Sequence, residues 1–470
     1  MSAWPAARPL LGTAARLLAA REQMAFTLAF HIVLVPFGVA FTSLMSVLNF
    51  RGIRRGDETA LRLAERWSKV AAVLFAVGAV SGTVLSFEMG LLWPGLMGRF
   101  GSAYGIPFAY EGLFFFLEAI FIGIYIYGWH RMRPWPHFFA GIAVSLAGAG
   151  GTACVVAANG WMNLPGGVTM RHGAVVGVHP MAVFFNRPFW WESVHMLLAA
   201  YIVAGFMVAG VYATGMLRGR RDPYHRLGLL VPFTVAAALV PVQMVVGHWT
   251  ADEVFRHEPA KFAAIEILPD TARHVPETIG GVLVDGKVRY GVRIPGLASF
   301  FAGSSPNTRI RGLDAVPPPV RPSPVMVSAV HLAFDVMVLT AFVLLGLAAW
   351  FAAGWWRRRD LPRSRWFLRG AALSGIVSLV SLECGWCVTE LGRQPWTVNG
   401  LLLTRDAVSP APGNLWPVLA VTTVVYTAVG TATILVLRSL HRRWVAGEEP
   451  GVPYGPDAPL EAALPETVPT

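Results

Sequence analysis

Four side chains of haem-ligating types lie near one end of long apolar stretches of the chain. They are His31, His195, Met326 and Glu390, and the stretches that contain them are given below. Two imidazoles, a thioether and a carboxylate near one membrane surface are what axial haem ligation requires. Taken singly, a membrane histidine is more often a hydrogen-bond partner and a methionine more often a packing residue. The common depth therefore favours haem ligation.

Two carboxylates, Glu111 and Glu118, are seven residues apart within one apolar stretch. Two helical turns separate them, so they share a helix face and lie about 10 Å apart along the axis. Carboxylates that step inward from a membrane surface suit a proton relay, because ionisable groups in lipid are costly and are functional candidates by default. The alternative is a pair of buried acids bonded to polar side chains of neighbouring helices.

The Cys-Gly-Trp-Cys string at 384–387 has the spacing of a thioredoxin-type redox motif. A lowered thiol pKa needs a setting such as a helix N-terminus in a βαβ unit. These cysteines lie inside an apolar stretch instead, so we reject the redox interpretation.

The composition sets the class of protein that must position these groups. Of the 470 residues, 55% are hydrophobic and only 14% are charged, whereas soluble domains carry about 25% charged residues. This excludes a soluble globule, a disordered chain and a coiled coil, and predicts an all-α integral membrane protein. Three cysteines exclude a disulfide framework.

The chain has nine stretches of the length and apolarity that a membrane-spanning helix needs. They are continuous rather than alternating, which excludes strands, and none reads as a cleaved signal peptide. The predicted spans are 24–49, 68–92, 106–129, 136–159, 188–215, 227–249, 325–355, 366–391 and 413–438.

Arginine predicts the orientation of these spans. The loops after the odd-numbered spans are the arginine-rich ones, which places the N-terminus outside and the C-terminus in the cytoplasm. The net charge of +11 therefore indicates topology rather than nucleic-acid binding. The arginines that support this are Arg51, Arg54, Arg55, Arg62, Arg66, Arg131, Arg133, Arg218, Arg220, Arg221, Arg357, Arg358, Arg359, Arg363, Arg365, Arg442 and Arg443, opposed by Arg8, Arg16 and Arg21.

The organisation follows from the spans. We predict an N-terminal segment 1–23, helices one to six over 24–249, an outer loop 250–324, helices seven to nine over 325–440 and a cytoplasmic tail 441–470. Because a structureless loop as long as 250–324 is usually functional or disordered, it is a candidate substrate site. Short alternating runs lie within it, at 282–288 and 292–294.

At the eighth span the sequence resembles a known family. Residues 390–396 read E-L-G-R-Q-P-W, which resembles the G-R-Q-P-W signature of subunit I of the cytochrome bd-type quinol oxidases. Further matches occur in the family's order along residues 20–440. They are A-F-H with V-P at 29–36, E-G-L with a second Glu at 111–118, N-G-W-M at 159–162, E-S-V-H at 192–195 and K-F-A-A-I-E at 261–266.

The resemblance implies a low-spin haem b, a high-spin haem b and a haem d. His195 and Met326 would ligate the low-spin haem, and His31 and Glu390 would each ligate one high-spin haem, in an order that stays open. Arg393 would neutralise haem propionates, with Gln394 and Trp396 also in the cofactor site. The remaining roles are proton transfer for Glu111 and Glu118, and quinol contact for Lys261 and Glu266.

One departure affects the thioether ligand. The family usually has R-x-M at the start of helix seven, where this chain reads Pro324-Val325-Met326, so that the arginine is missing. Met337 is the alternative ligand. A Met ligand raises the potential of a His-ligated haem, which would help it to accept electrons from quinol.

The function implied is that of a respiratory oxidase in the bacterial plasma membrane. Quinol would be oxidised at the outer loop and O2 reduced to water with protons from the inner side, which separates charge without a pump. The partners implied are a second large subunit and a small single-helix accessory subunit. The alternatives are a related oxidase with haem b in place of haem d, and a proton-coupled transporter, which the lack of an obvious internal repeat disfavours.

Overall fold

The computed structural model describes residues 7–362, 364–409 and 415–447, with side chains from Arg16 onward. Within these ranges, nine helices are long and apolar enough to cross a membrane. The predicted helical class and the number of spans are thus confirmed. The predicted tail beyond residue 447 and the start of the ninth span lie outside the described residues.

The first half of the chain forms seven helices and one hairpin. A short π-helix, Phe37–Phe41, separates the first two helices, and the two together form the first span. In chain order the elements are α1 (Ala7–Pro36), α2 (Thr42–Arg55), α3 (Glu58–Leu92), α4 (Pro94–Gly128), α5 (Pro134–Asn163), β1 (Val168–Arg171), β2 (Ala174–Val178), α6 (Pro180–Phe184) and α7 (Phe189–Leu217).

The second half contains the outer loop and the last four spans. Its elements are α8 (Pro223–His257), α9 (Pro259–Ile265), β3 (Glu277–Ile279), β4 (Val282–Val284), β5 (Lys287–Arg289), β6 (Val292–Ile294), α10 (Leu297–Gly303), α11 (Pro324–Arg358), α12 (Arg365–Gly392), β7 (Trp396–Val398), β8 (Leu402–Leu403), α13 (Thr404–Ala407) and α14 (Trp416–Val445).

The helices extend further than the apolar runs that predicted them. Helix α8 ends at His257 rather than near residue 249, and α9 follows almost at once. Hydropathy marks only the part that prefers lipid, whereas backbone hydrogen bonding continues into polar turns. The predicted loop boundary at residue 250 therefore falls inside a helix.

Side chains and glycine mark several helix ends as expected. Asp57, Asp222 and Ser323 accept hydrogen bonds from backbone N–H groups of the first turns of α3, α8 and α11. Gly56, in the left-handed region at φ 62°, ends α2. These polar ends separate the apolar runs, so they define where the connections lie.

Helix α7 occupies the centre of the bundle. In its most apolar window 56% of the residues are buried, against 11% for α14. Small residues allow its close packing: a Cβ on Gly205 would lie 2.7 Å from the Pro232 carbonyl oxygen, and one on Gly375 would lie 2.7 Å from the Met207 Cα. Close backbone contact at small residues is the usual way in which membrane helices pack.

The outer loop is ordered and rests on α11. Strands β4 and β5 form an antiparallel hairpin, and β3 pairs with β6. The N–H of Leu283 in β4 donates to the hydroxyl of Ser328 in α11 over 2.9 Å. Short strands alone are unstable in water, so this contact with a helix helps to hold them.

Candidate functional site

An ion pair between a buried arginine and a partly buried glutamate lies at the end of α12. Nη2 of Arg393 donates to Oε2 of Glu390 over 2.6 Å, and the Asn159 amide donates to the other carboxylate oxygen over 2.5 Å. Arg393 is only 6% exposed. Its Nε has no hydrogen-bond partner among the residues that the structure describes. A buried arginine with an unpaired donor implies an acceptor that the protein itself does not supply.

Lys261 lies directly beside this pair. Helix α9 packs so closely on the end of α12 that a Cβ on Gly392 would lie 2.8 Å from Cγ of Lys261. The ammonium group forms an ion pair with Glu258, and both residues are about 5% exposed. A buried charge persists only when it is paired, and the Glu258 carboxylate provides that pairing.

Asn163, the last residue of α5, connects these groups. Its amide oxygen accepts hydrogen bonds from Lys261 and Arg393, and its amide nitrogen donates to Asn159 and Glu192. The sequence motifs N-G-W-M and G-R-Q-P-W, far apart in the chain, therefore meet at one buried network.

Glu266 is placed apart from this network, on a cleft of about 460 Å³ whose lining also includes Thr278 and Arg293. It is 9% exposed. Burial, then the charges of Glu277 and Asp335, raise the pKa of its carboxyl well above the usual value. Burial and Asp335 also raise the pKa of Glu277. A carboxyl that takes up a proton readily suits a proton acceptor.

His331 in α11 contacts the outer loop at two backbone positions near Glu266. Its Nδ1 lies 2.7 Å from the Ile265 carbonyl oxygen and its Nε2 lies 3.0 Å from that of Gly280. The Asp335 carboxylate lies 3.4 Å from Nε2 and accepts a hydrogen bond from the Gly280 N–H over 2.5 Å. The carbonyl held by Nδ1 belongs to the residue before Glu266.

The two predicted haem histidines occupy different polar surroundings. Nδ1 of His31 is 2.9 Å from the hydroxyl of Ser81, which leaves Nε2 as the nitrogen for a metal. His195 has the Gln243 amide 3.3 Å from one ring nitrogen and 3.4 Å from the other. Neither histidine is joined to an acidic side chain by a hydrogen bond or ion pair within the described ranges.

The two candidate methionines are at different depths. Met326 is in the first turn of α11, where its N–H donates to Ser323. Met337 is eleven residues further along, about 16 Å by helical rise. A Cβ on Gly385 of α12 would lie 3.2 Å from the Met337 sulfur. One turn before that glycine, Leu382 belongs to the same buried apolar cluster as Met196, the residue after His195 in α7.

Glu118 is placed against the backbones of two other helices. A Cβ on Gly38 would lie 3.3 Å from its Oε1, and one on Gly148 would lie 3.4 Å away. This oxygen is buried without a hydrogen-bond partner in the described part of the chain. Gly38 belongs to the π-helix, and such segments are frequent at functional sites. Glu111 is two turns away on the same helix, α4, as the spacing predicts.

The donor set fits haem better than a bare metal ion. Among the described residues, no group of three or more His, Cys, Asp or Glu converges as an ion-binding cluster. Haem needs only one or two axial side chains, such as His31, His195 or Glu390, and cations for its propionates. Arg393, with its unpaired Nε, is suited to the second role.

Several residues of the site escaped the sequence interpretation. Asn163 directly follows N-G-W-M, and Glu258 is one helical turn before Lys261. Their positions next to recognised motif residues could have marked both as candidates from the sequence. Ser81 and Gln243 gave none, because their value depends on which helix packs opposite them.

The fold and this site define a multi-pass helical membrane protein with buried ionisable groups between its helices. The chain belongs to the family described as cytochrome bd terminal oxidase subunit I, whose family model matches residues 19–445. This is a family of respiratory electron-transport proteins in which haem and iron are typical.

Individual relatives agree with this assignment. A relative from Bacillus subtilis, provisionally named cytochrome bd menaquinol oxidase subunit I, is 31% identical over 446 residues, covering 92% of this chain and 98% of the relative. Subunit 1 of the cytochrome bd ubiquinol oxidase of the same organism is 28% identical over 91% of this chain and 94% of its own. A solved structure of bd oxidase from Geobacillus thermodenitrificans superimposes with a TM-score of 0.84 at 29% identity, covering 91% of this chain and 98% of that one.

Proposed function

We propose that this chain is the haem-binding subunit of a quinol oxidase that reduces O2 to water. The observation that carries the proposal is the packing of Lys261 against Gly392, inside the segment that holds Glu390 and Arg393. It brings the family's quinol-binding motif and its haem-ligand motif into direct contact. A quinol site close to the segments that hold the haems is what such an enzyme requires.

Lys261 and Glu266 would have separate roles in quinol oxidation. The Lys261 ammonium group would donate to a quinol oxygen, and the Glu266 carboxylate would accept a quinol proton and release it outside. Bound haems would supply the redox chemistry that takes the electrons to O2. Three are proposed, a low-spin b, a high-spin b and a d-type, with haem b in place of haem d as the alternative that pigment extraction decides.

The haem ligands are proposed from their placement. His31 and Glu390 would each hold one high-spin haem, with Arg393 at the propionates and Gln394 and Trp396 nearby. His195 would hold the low-spin haem. For its second ligand, placement favours Met337 over Met326. The Met337 sulfur faces Gly385 of α12, one turn from Leu382, and Leu382 shares a buried apolar cluster with Met196, the residue after His195 in α7.

That assignment changes how the missing arginine is understood. In the register of Met337 the R-x-M pattern reads Asp335-Val336-Met337, so an acid occupies the place of the arginine. Asp335 is engaged with His331 and Gly280 of the outer loop.

Glu118 and Glu111 would bring protons to the oxygen site. The unpartnered, buried Oε1 of Glu118 supports this, because a carboxyl that has no fixed partner is free to receive and pass on a proton. With protons drawn from the cytoplasm and quinol protons released outside, each turnover would separate charge without a pump.

The orientation proposed is N-terminus outside and C-terminus in the cytoplasm of a bacterial plasma membrane. Its support is that the arginine-rich ends of α3, α8 and α14 lie together. The Arg66 guanidinium of α3 lies 4.8 Å from the ring centre of Tyr224 in α8 and 5.3 Å from that of Trp444 in α14. A second large subunit and a small accessory helix would complete the complex.

The test is a difference spectrum and steady-state kinetics on the purified complex. The spectrum should show b-type bands and a red-shifted d band, and a complex without haem would refute the proposal. Lys261→Ala and Glu266→Ala should slow quinol oxidation with all haems retained, whereas unaltered quinol kinetics would refute the loop site.

A further inference from the structure

The buried amide of Asn163 stands between the two charged groups of the proposed quinol and haem sites. We propose that Asn163 is a positioning residue that sets Lys261 for quinol and Arg393 for haem and couples the two sites. This rests on the function proposed above and adds a residue to it.

All hydrogen-bonding capacity of this side chain is used. The amide oxygen accepts from Nζ of Lys261 over 3.2 Å and from Nη1 of Arg393 over 3.1 Å. The amide nitrogen donates to Oδ1 of Asn159 and Oε1 of Glu192, each over 3.1 Å. An asparagine has two acceptor and two donor positions, so none is left over.

The four partners also determine which way the amide points. Two cations lie on one side and two oxygen acceptors on the other, so a flipped amide would aim its N–H groups at Lys261 and Arg393. Asn163 is 0% exposed, so water cannot compensate for a wrong orientation. A neutral group that accepts on one side and donates on the other is required here, and an amide is such a group.

The backbone that carries the amide is held as well. The N–H of Asn399 donates to the Met162 carbonyl oxygen over 2.9 Å, and its side-chain amide donates to the Asn163 carbonyl oxygen over 3.0 Å. Asn399 follows the G-R-Q-P-W segment, so the same stretch that supplies Arg393 fixes the position of Asn163.

Coupling follows from the shared oxygen. Lys261 and Arg393 bond to one atom, which keeps their nitrogens within about 6 Å of each other in a buried region where charges interact strongly. When Lys261 turns toward a quinol oxygen, its hydrogen bond to the Asn163 amide oxygen weakens. The hydrogen bond from Arg393 to the same oxygen then becomes stronger. By thermodynamic linkage, the free energy by which quinol binding affects Arg393 equals the free energy by which a change at Arg393 affects quinol binding.

The experiment compares three variants of the full oxidase complex, with haem content measured first. Asn163→Leu removes all four bonds at similar volume. Asn163→Asp keeps the acceptor for both cations but loses both donors and adds a charge beside Glu192. Asn186→Leu is the matched control. Asn186 is also buried, at 4% exposed; it donates to the carbonyl oxygens of Ala157 and Val183 and accepts from the Phe189 N–H, all outside the network.

For Asn163→Leu, KM for a short-chain quinol should rise about tenfold, with kcat nearly unchanged. This is the effect expected from the loss of one hydrogen bond to a charged group, here the Lys261 ammonium group. The midpoint potential of the haem at Glu390 should fall, because the Arg393 charge that favours the reduced haem is no longer fixed. For Asn163→Asp, KM should rise less while that potential falls, because a negative charge is added near the haem. Asn186→Leu should change neither quantity.

Each result has a meaning. Wild-type KM and potential in Asn163→Leu would overturn the inference and leave the proposed function intact. If Asn163→Leu does not assemble, an unchanged haem potential in Asn163→Asp would overturn it. A wild-type complex that contains haem but does not oxidise quinol would refute the proposed function itself.

Discussion

Replacing His331 by phenylalanine should loosen the outer loop without disturbing the membrane helices. The phenyl ring keeps the volume of the imidazole but offers no N–H, so the carbonyl oxygens of Ile265 and Gly280 lose their partners. Each unsatisfied buried polar group costs about 1–3 kcal/mol. Because the first carbonyl is buried and the second partly buried, we expect a total of about 2–4 kcal/mol.

That cost appears as local opening. Backbone amide exchange in the loop should be faster by roughly 30- to 1000-fold, since 1.4 kcal/mol is a factor of ten. The assay is hydrogen–deuterium exchange with mass spectrometry on the full complex, for peptides that span 262–290. Ser328→Ala is the control: the only bond to the loop that it removes is the one from the Leu283 N–H, besides the hydroxyl's bond to Pro324 within α11, so it should have a smaller effect near β4. Exchange that is unchanged in His331→Phe would refute the role assigned to the imidazole.

Two further predictions concern the proposed redox and proton chemistry. Met337→Leu should remove the low-spin haem signature from the optical spectrum, whereas Met326→Leu should leave it, and the reverse result would restore Met326 as the ligand. Glu277→Gln should lower the pKa of Glu266, because Glu277 is the larger of the two charges that raise it after burial. The base is then deprotonated at lower pH, so the rising limb of the quinol-oxidation pH profile should move to lower pH; a profile that stays in place would contradict this.

The sequence predicted the class of fold well because hydropathy depends on local composition. A span of about 20 apolar residues is the same signal in any context, so nine spans could be counted without a structure. A short motif can be equally informative: the G-R-Q-P-W signature indicated the family whose model matches residues 19–445. Where the signal faded, as at the outer end of α8, the predicted boundary fell inside a helix.

The site itself needed the tertiary structure. Composition and spacing indicated that this chain spans a membrane with ionisable groups between its helices, and named His31, His195 and Glu390. The resemblance to the oxidase family added Lys261. Only the packing of α5, α9 and α12 decided that Lys261 and Arg393 share the Asn163 oxygen, because those residues are about 100 or more positions apart in the chain. Depth across helices is likewise a property of packing, and it separated Met337 from Met326. Hydrophobicity acts on each segment alone, whereas hydrogen bonds between segments exist only when the fold has brought them together.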